Sequence, residues 1–563
     1  MSLQLIPVSE SFSVSTQVTA ADIPTLVEAG VKSLICNRPD GEANDQPTIT
    51  EIRTAAEGAG LKIAYVPIVS GKFTPADVAD FSSALSQMEA PVHAFCRTGT
   101  RSITLWSLHQ RAQGVADDEL LERAKACGYD LTDALGSAPV VESRADETIK
   151  AKDYYDVLIV GAGAAGISVA SSLMSRTQAL SIAIIDPAEV HYYQPGWTMV
   201  GGGIFRQADT VKTMASLIPE GVRWIKAAVG NFEPDNNRVL LEDSHPIHYD
   251  RLIVAPGIKL DWHGIDGLVE TLGRNGVTSN YRYDLAPYTW ELVSSLQEGK
   301  ALFTQPPMPI KCAGAPQKAL YLSGDHWRRR GVLNNIDISF FNAGPVLFGV
   351  KEYVPALMEY IERYQATLNF GHRLTRIDGE SKTAWFATQD DNGDTVEVSS
   401  DFDMIHVCPP QTAPDFVRQS PLADDAGWID VDQNTLQHKR YANIWSLGDA
   451  MNAPNAKTAA AARMQAPIVA NNLLHDMDRV SGVAHYNGYG SCPLTVERGK
   501  IVLAEFGYGG KLLPSFPRWL LNGQRPTRLA WILKEQILPP IYWKAMLKGK
   551  EWMVNPERSK ADA

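Results

Sequence analysis

Tyr155-Asp156-Val157-Leu158-Ile159-Val160-Gly161-Ala162-Gly163-Ala164-Ala165-Gly166 is the stretch whose reading decides the fold. Its apolar run predicts a strand, G-x-G-x-x-G a tight turn, and Ile167-Ser168-Val169-Ala170-Ser171-Ser172-Leu173 the start of a helix. Gly161, Gly163 and Gly166, with Ala164 and Ala165, let backbone approach a pyrophosphate, which then sits on the positive end of the helix dipole. A second strand, Ile182-Ala183-Ile184-Ile185, ends in Asp186, where an acidic side chain would hold an adenosine ribose. A dinucleotide site follows.

Further along, Tyr249-Asp250-Arg251-Leu252-Ile253-Val254-Ala255-Pro256-Gly257 reads as a strand closing onto the cofactor, with Ala255 and Gly257 at its end. Tyr441-Ala442-Asn443-Ile444-Trp445-Ser446-Leu447-Gly448-Asp449-Ala450 has the form of the second flavin fingerprint of two-dinucleotide-domain flavoproteins, in which the aspartate holds the ribityl chain. Lys457 and Thr458, opening a K-T-A-A-A run, join the expected cofactor contacts. Together these imply FAD. Neither Ala301-Leu302-Phe303-Thr304 nor Ile336-Asp337-Ile338-Ser339-Phe340-Phe341 leads into a second G-x-G-x-x-G, so NADH is not the expected electron donor.

The 563 residues suffice for several cores, and the formal net charge of -12 argues against a nucleic-acid binder. No secretory leader is expected at Met1-Ser2-Leu3-Gln4-Leu5-Ile6-Pro7, and no apolar run is long enough to span a bilayer. Six cysteines (Cys36, Cys96, Cys127, Cys312, Cys408 and Cys492) show neither C-x-x-C nor metal-ligand spacing, and read as thiols of a reducing compartment.

The first part of the chain alternates strand and helix by itself: Val31 to Cys36, Thr50 to Ala59, Lys62 to Pro67, Pro75 to Gln87, and Val92 to Phe95. The last strand runs into Cys96-Arg97-Thr98-Gly99-Thr100-Arg101-Ser102. A thiol at a strand end, inward-facing amides and Arg101 at a helix start form a cradle for an anionic sulfur or phosphate species. Four residues separate Cys96 from Arg101, which resembles the rhodanese loop; the tyrosine phosphatase loop is one residue longer. Asn37-Arg38-Pro39-Asp40-Gly41-Glu42 instead resembles phosphatase-like domains fused to sulfur-metabolism enzymes, with Asp40 available as a general acid. Sulfur transfer is the preferred reading and phosphate-ester hydrolysis the alternative. Cys36 and Cys127 read as packing.

The run Lys311-Cys312-Ala313-Gly314-Ala315-Pro316-Gln317-Lys318, with HYYQPGWT from His191, TLQHKRYANIWSLGDA, KTAAA, GYGSCPL and VLAEFGYGG, resembles sulfide:quinone oxidoreductases of the mitochondrial-type subgroup from about residue 154 onward. The resemblance implies an α/β protein: a phosphatase-like domain, a two-Rossmann-domain FAD core and a C-terminal amphipathic membrane-binding region. It also implies oxidation of sulfide or a persulfide, with quinone reoxidising the flavin and a small thiol or sulfite accepting the sulfur. Cys312 matches the flavin-proximal cysteine, with Lys311 and Lys318 placed to favour its thiolate. The subgroup's partner cysteine is expected after the Gly-Asp pair, where this chain has Ala450; Cys492 is the first substitute and Cys408 the second. An NAD(P)H-dependent persulfide or disulfide reductase and a non-turnover sulfide sensor are the rival readings.

Residues 511 to 550 carry Lys511, Arg518, Arg525, Arg528, Lys534, Lys544, Lys548 and Lys550 against the single acid Glu535, interleaved with apolar residues and broken by Pro539-Pro540. That pattern predicts segments lying in a membrane interface, on the cytoplasmic side and peripheral. The expected domains are 1–135 (phosphatase/rhodanese-like), 136–153 (linker), 154–275 with 405–495 (FAD), 276–404 (second Rossmann-like domain) and 496–563 (membrane interface). The oligomeric state is left open.

Overall fold

The computed structural model describes residues 3–43, 46–68, 73, 75–112, 115–132, 135, 154–554 and 557–558. The expected linker at 136–153 lies outside the described residues. The chain divides into two compact units, Met1–Lys150 and Ala151–Ala563.

The first unit is a five-stranded sheet in the order Ile6–Ser9, Phe12–Ser15, Val92–Phe95, Ser33–Cys36, Lys62–Tyr65, with an antiparallel first pair and parallel pairs after it. Strands buried on both faces need apolar side chains on both, and Leu34 and Ile35 accordingly point into different cores. One core holds Val14, Phe81, Ile103 and Trp106, the other Ile23, Ile52, Leu61 and Phe95. Helix Ile49–Gly58 starts at a capping box in which Thr48 and Glu51 satisfy each other's end groups. The hairpin Ile6–Ser9/Phe12–Ser15 was not expected from the sequence; its strands are too short for a periodic signal.

In the second unit, Ile182–Ile185, Tyr154–Val160, Pro246–Val254 and Ile444–Ser446 form the parallel centre of a seven-stranded sheet. The expected strand, turn and helix at residue 155 are present as Tyr154–Val160 and Ala164–Arg176. Gly161 has φ +99°, and a Cβ there would run into Ala255 O; one on Gly166 would overlap Gly161 O. Helix Ala459–Asp476 packs against helix Ala164–Arg176. A second, five-stranded parallel sheet contains Gly299–Gln305, Ile336–Asn342 and Met404–His406. The antiparallel hairpin Gly490–Glu497/Lys500–Phe506 packs on helix Ala315–Arg330.

The carboxy-terminal segment departs from the amphipathic expectation in a defined way. It runs through Arg528–Ile532, a π-helical turn Leu533–Ile537, Leu538–Lys544 and Met546–Lys548. Pro539 and Pro540 have no N–H to return to the carbonyls four residues back, and the widened turn sits just before them. Trp531, Tyr542, Trp543, Met546 and Leu547 are buried core residues, whereas Trp519, Leu520, Leu529 and Ile537 remain exposed. Much of the apolar content that reads as a membrane face therefore closes the protein's own core. Among the described residues, no helix is long and apolar enough to cross a membrane.

The turn geometry predicts that Gly166→Ala, which forces a methyl group onto Gly161 O, destabilises the chain by about 2 kcal/mol. Thermal unfolding of the flavin-free protein checks this, and an unchanged midpoint would contradict the close packing.

Candidate functional site: a paired-thiol chamber beside a dinucleotide lobe

Strand Gly299–Gln305 delivers the chain through Pro306, Pro307 and Pro309 to Lys311 and Cys312, immediately ahead of helix Ala315–Arg330. Cys312 has φ +52°, a left-handed conformation that a non-glycine residue adopts only when its surroundings enforce it. They do so here. Cys312 N–H donates to Lys457 O at 2.9 Å, and Cys312 O accepts from Ala315 N–H at 2.7 Å. Strand Gly490–Glu497 brings Cys492 in from the other side, and the two sulfurs lie 3.9 Å apart as free thiols. Gly314 permits that approach, since a Cβ there would lie 2.6 Å from Cys492 Sγ.

The first turn of helix Ala315–Arg330 is enough to bring a cation back to the thiols: Lys318 Nζ donates to Cys312 Sγ at 3.1 Å. The Cys492 S–H aimed at Cys312 and the Lys318 ammonium hold the Cys312 thiol well below the usual range, against the opposing effect of burial. Cys492 goes the other way, raised by that same sulfur contact and by burial. One member of the pair is thus the thiolate and the other the proton donor. Lys318 stays charged because the thiolate outweighs its burial.

Lys534 arrives from the carboxy-terminal segment. Its Nζ donates to Pro195 O at 2.8 Å, and burial, then repulsion from Lys318, brings its pKa down to about 7. In sequence it reads as one more cation of an amphipathic segment; only the packing of residues 528–548 turns it inward. Lys311, expected beside the thiolate, directs its ammonium to Gln194 Oε1 at 2.5 Å, leaving Lys318 as the cation bonded to Cys312. Tyr281 O–H donates to Lys311 O at 3.2 Å, a contact no motif signals. Cys408 lies in the same small apolar cluster as Tyr281, Ile310 and Ala315, against which Cys312 packs, and burial pushes its thiol up to about 12. Ala450 is a fully buried core residue of the dinucleotide lobe.

The residues expected to hold a cofactor converge on one side of this lobe. Gly163 and Gly257 have open space where a Cβ would be, while Gly448 sits against the Ala165 methyl, so the two fingerprints meet. Asp186 accepts from Ala162 N–H at 2.6 Å and from Ala188 N–H at 2.8 Å. Ala255 N–H donates to Val160 O at 2.8 Å, joining the return strand to the glycine turn, and Ala164 opens the helix. Burial raises the Asp449 pKa, opposed by Lys457, and no described residue donates a hydrogen bond to its carboxylate. Open glycine backbone and an unpartnered acid fit the phosphates and hydroxyls of a flavin nucleotide. Lys457 Nζ instead binds Asp449 O and Met451 O, at 2.7 and 2.8 Å, and Thr458 caps helix Ala459–Asp476 through Ala461 N–H.

In the first unit, Cys96 is fully buried at its strand end and receives Gly99 N–H at 3.2 Å. Arg101, at the start of helix Thr100–Ala112, makes a two-pronged pair with Glu42 at 2.8 Å per contact and also donates to Ile68 O. Glu42 accepts from Arg38 Nε as well, and Arg101 followed by Arg38 holds its carboxyl down at about 2. Asp40, the residue considered as a general acid, is exposed and accepts from Ile49 N–H. The carboxylate that faces the loop arginine is therefore Glu42, three residues after Pro39 in a stretch whose loop path the sequence does not reveal. Cys36 is buried, its thiol pushed up to about 12.

A G-x-G-x-x-G lobe interrupted by a second parallel lobe, with one thiol on the turn before helix Ala315–Arg330 and a second brought to it by a later strand, defines a Rossmann-type redox protein. Residues 155–303 match the pyridine nucleotide-disulphide oxidoreductase family, and residues 4–113 the phosphatase-like domain of beta-lactamase hydrolase-like proteins. The chain belongs to the sulfide:quinone oxidoreductase family and is an oxidoreductase with a flavin cofactor. It is 42% identical over 436 residues to the mitochondrial sulfide:quinone oxidoreductase of Dictyostelium discoideum, covering 74% of this chain and 95% of that protein. The mouse counterpart is 39% identical over 399 residues, covering 71% and 88%. The first unit is phosphatase-like: 33% identical over 130 residues to the beta-lactamase hydrolase-like protein of Agrobacterium fabrum, covering 23% of this chain and 30% of that protein. The fold of the larger unit is that of the sulfide:quinone oxidoreductase from Aquifex aeolicus, with a TM-score of 0.59 at 19% identity over 72% of this chain and 98% of that one.

Two consequences are measurable. Lys318→Met removes the cation bonded to Cys312, so alkylation of that thiol by iodoacetamide at pH 7 should slow about tenfold; an unchanged rate would mean Lys318 does not support the thiolate. Glu42 has its pKa lowered from 4.5 to about 2, so its ion pairs contribute fully above pH 4.5 and are lost as pH falls from there to about 2. The stability difference between the wild-type protein and Glu42→Gln should therefore be constant near pH 6 and close over that interval in thermal unfolding.

Proposed function

We propose that the larger unit catalyses FAD-dependent oxidation of sulfide, or of a closely related persulfide, and passes the electrons to membrane quinone. The observation that carries this reading is the Cys312–Cys492 pair, with sulfurs 3.9 Å apart and Lys318 bonded to one of them. In the oxidised pair, hydrosulfide attacks Cys492 Sγ, a persulfide forms on Cys492, and Cys312 leaves as the thiolate. Departure of the low-pKa thiol is the faster direction of exchange, and Lys318 neutralises the charge that develops. A small thiol or sulfite then takes the outer sulfur, leaving Cys492 as a thiol. A bound FAD would supply the two-electron acceptor that re-forming the Cys312–Cys492 disulfide requires, with quinone as the final oxidant. Lys534, with a pKa near 7, holds an exchangeable proton beside the pair. On this reading Cys492 supplies the partner absent at Ala450, and Cys408, with its raised pKa, stays a thiol.

For the first unit the reading is transfer of the sulfane sulfur through Cys96, supported by the four-residue spacing to Arg101 and by an enclosed, amide-lined thiol. The phosphatase-like family match favours a second reading, hydrolysis of a phosphate ester at the same cysteine. We propose the division 1–135, a linker at 136–153, 154–275 with 407–495, 276–406 and 496–563, the boundary expected at 404/405 being moved because strand Met404–His406 pairs within the second sheet. The larger unit is read as peripheral to the membrane, on the cytoplasmic side; exposed Trp519, Leu520, Leu529 and Ile537 among Arg518, Arg525 and Arg528 support the association itself.

The test is the visible flavin spectrum under anaerobic conditions. Sulfide should bleach it and a soluble quinone restore it, and Cys312→Ser should retain FAD but lose the bleaching. Bleaching by NADH alone would replace this reading with a pyridine-nucleotide-dependent reductase. Turnover of an aryl phosphate by the Cys96-containing unit, without sulfur transfer from thiosulfate, would select the phosphatase.

A further inference from the structure

The carboxy-terminal segment does more than present exposed apolar side chains. His191 is buried, with Nδ1 3.2 Å from Ala162 O and Nε2 2.6 Å from Tyr542 Oη. Burial lowers its pKa to about 4, so the ring is neutral at pH 7, with one nitrogen a donor and the other an acceptor. A carbonyl can only accept, so the proton lies on Nδ1 and donates to Ala162 O. Nε2 then accepts from the Tyr542 hydroxyl. Ala162 is the middle residue of the Gly161-Ala162-Gly163 turn, and its N–H is already held by Asp186. The two peptide units that flank Ala162 are thus each held by a side chain, and the one shared with Gly163 is oriented from residue 542.

The same segment is fastened along the helix that leaves the turn. Ser171 Oγ donates to Leu547 O at 2.9 Å, and Glu551 accepts from Ser172 Oγ at 2.7 Å and from both Arg176 Nη1 and Nη2, at 2.6 and 2.8 Å. Gly549, with φ +67°, lies so close to Ser171 O that a Cβ would collide with it. Tyr542 and Trp543 pack with Tyr193 in the core of the lobe.

We infer that Tyr542 is a positioning residue for the dinucleotide site: through His191 it fixes the Ala162 carbonyl and so the orientation of the glycine-turn amides that face a bound phosphate. The carboxy-terminal segment is then part of the cofactor site through this one contact. This rests on the FAD reading above. When the hydroxyl is absent, Nε2 is left buried without a donor, and the ring, no longer pinned at that end, is free to turn away from Ala162 O.

The experiment is FAD titration of the deflavinated full-length chain, followed by flavin fluorescence, with thermal unfolding of the flavin-free protein alongside. Tyr542→Phe keeps the ring and its packing, and should weaken FAD binding about tenfold, with a fall in the flavin-free unfolding midpoint no greater than that of Ser171→Ala. Ser171→Ala, which loosens the segment without touching the relay, should lower that midpoint and leave FAD affinity within about twofold of wild type. Wild-type FAD affinity in Tyr542→Phe, or an equal loss in both variants, would overturn the positioning role. Failure of the wild-type chain to bind FAD at all would overturn the flavin reading and this inference with it.

Discussion

One backbone hydrogen bond, Cys312 N–H to Lys457 O, ties the thiol turn of one lobe to the loop after the second fingerprint of the other. Lys457 makes the connection rigid from both ends. Its backbone pairs with Lys311, its ammonium ties down Asp449 O and Met451 O, and it lies 4.1 Å from the centre of the Trp428 ring. Burial lowers the Lys457 pKa to about 8, and two carbonyl partners and an aromatic face are what a buried ammonium needs. Cys312 keeps its left-handed backbone because this strut and the first turn of helix Ala315–Arg330 hold it on either side. Strain at that one residue is a local expense of about 1–3 kcal/mol that aims the sulfur at its partner.

Around the two sulfurs the chain concentrates positive charge where burial opposes it. Lys318 is made tolerable by the thiolate it touches, whereas Lys534 lacks a carboxylate partner and relaxes towards neutrality. A single chamber therefore contains a permanent cation and a titrating one. The asymmetry of the two thiols follows from the same layout: Lys318 bonds Cys312 and the Cys492 S–H points at it, whereas for Cys492 the neighbouring sulfur and burial outweigh what Lys318 offers. The phosphatase-like unit solves a related problem differently: Arg101 is buried with Glu42 in a two-pronged pair, which fixes the guanidinium beside Cys96 before any ligand arrives.

The carboxy-terminal segment unites the two halves of the chemistry. Lys534 reaches the thiol chamber, and Tyr542, eight residues on, reaches His191 beside the glycine turn. Its exposed Trp519 and Leu529 face solvent, while Trp531 and Trp543 are buried. A segment whose apolar residues are divided between core and surface gives the mixed cationic and aromatic pattern that composition alone reads as a membrane surface.

By itself the sequence determined the elements whose chemistry is local. The strand, glycine turn and helix at 154–176, the Asp186 strand end and the Cys96-to-Arg101 loop are each specified within a few residues, because backbone conformation there depends on glycine, strand periodicity and helix starts. Cys312 and Lys318 were also legible together, because they lie close in sequence about the start of one helix. Tertiary structure alone decided which distant residue meets each of them. Cys492, the first substitute the family resemblance offered for the cysteine missing at Ala450, lies 180 positions from Cys312, and only the hairpin that carries it brings the two sulfurs together. Glu42 reaches Arg101 through a loop path, Lys534 is turned inward by helix packing, and His191 meets Tyr542 across 351 positions. Those meetings depend on how whole elements pack, a matter of shape and burial summed over many side chains that no short stretch of sequence carries.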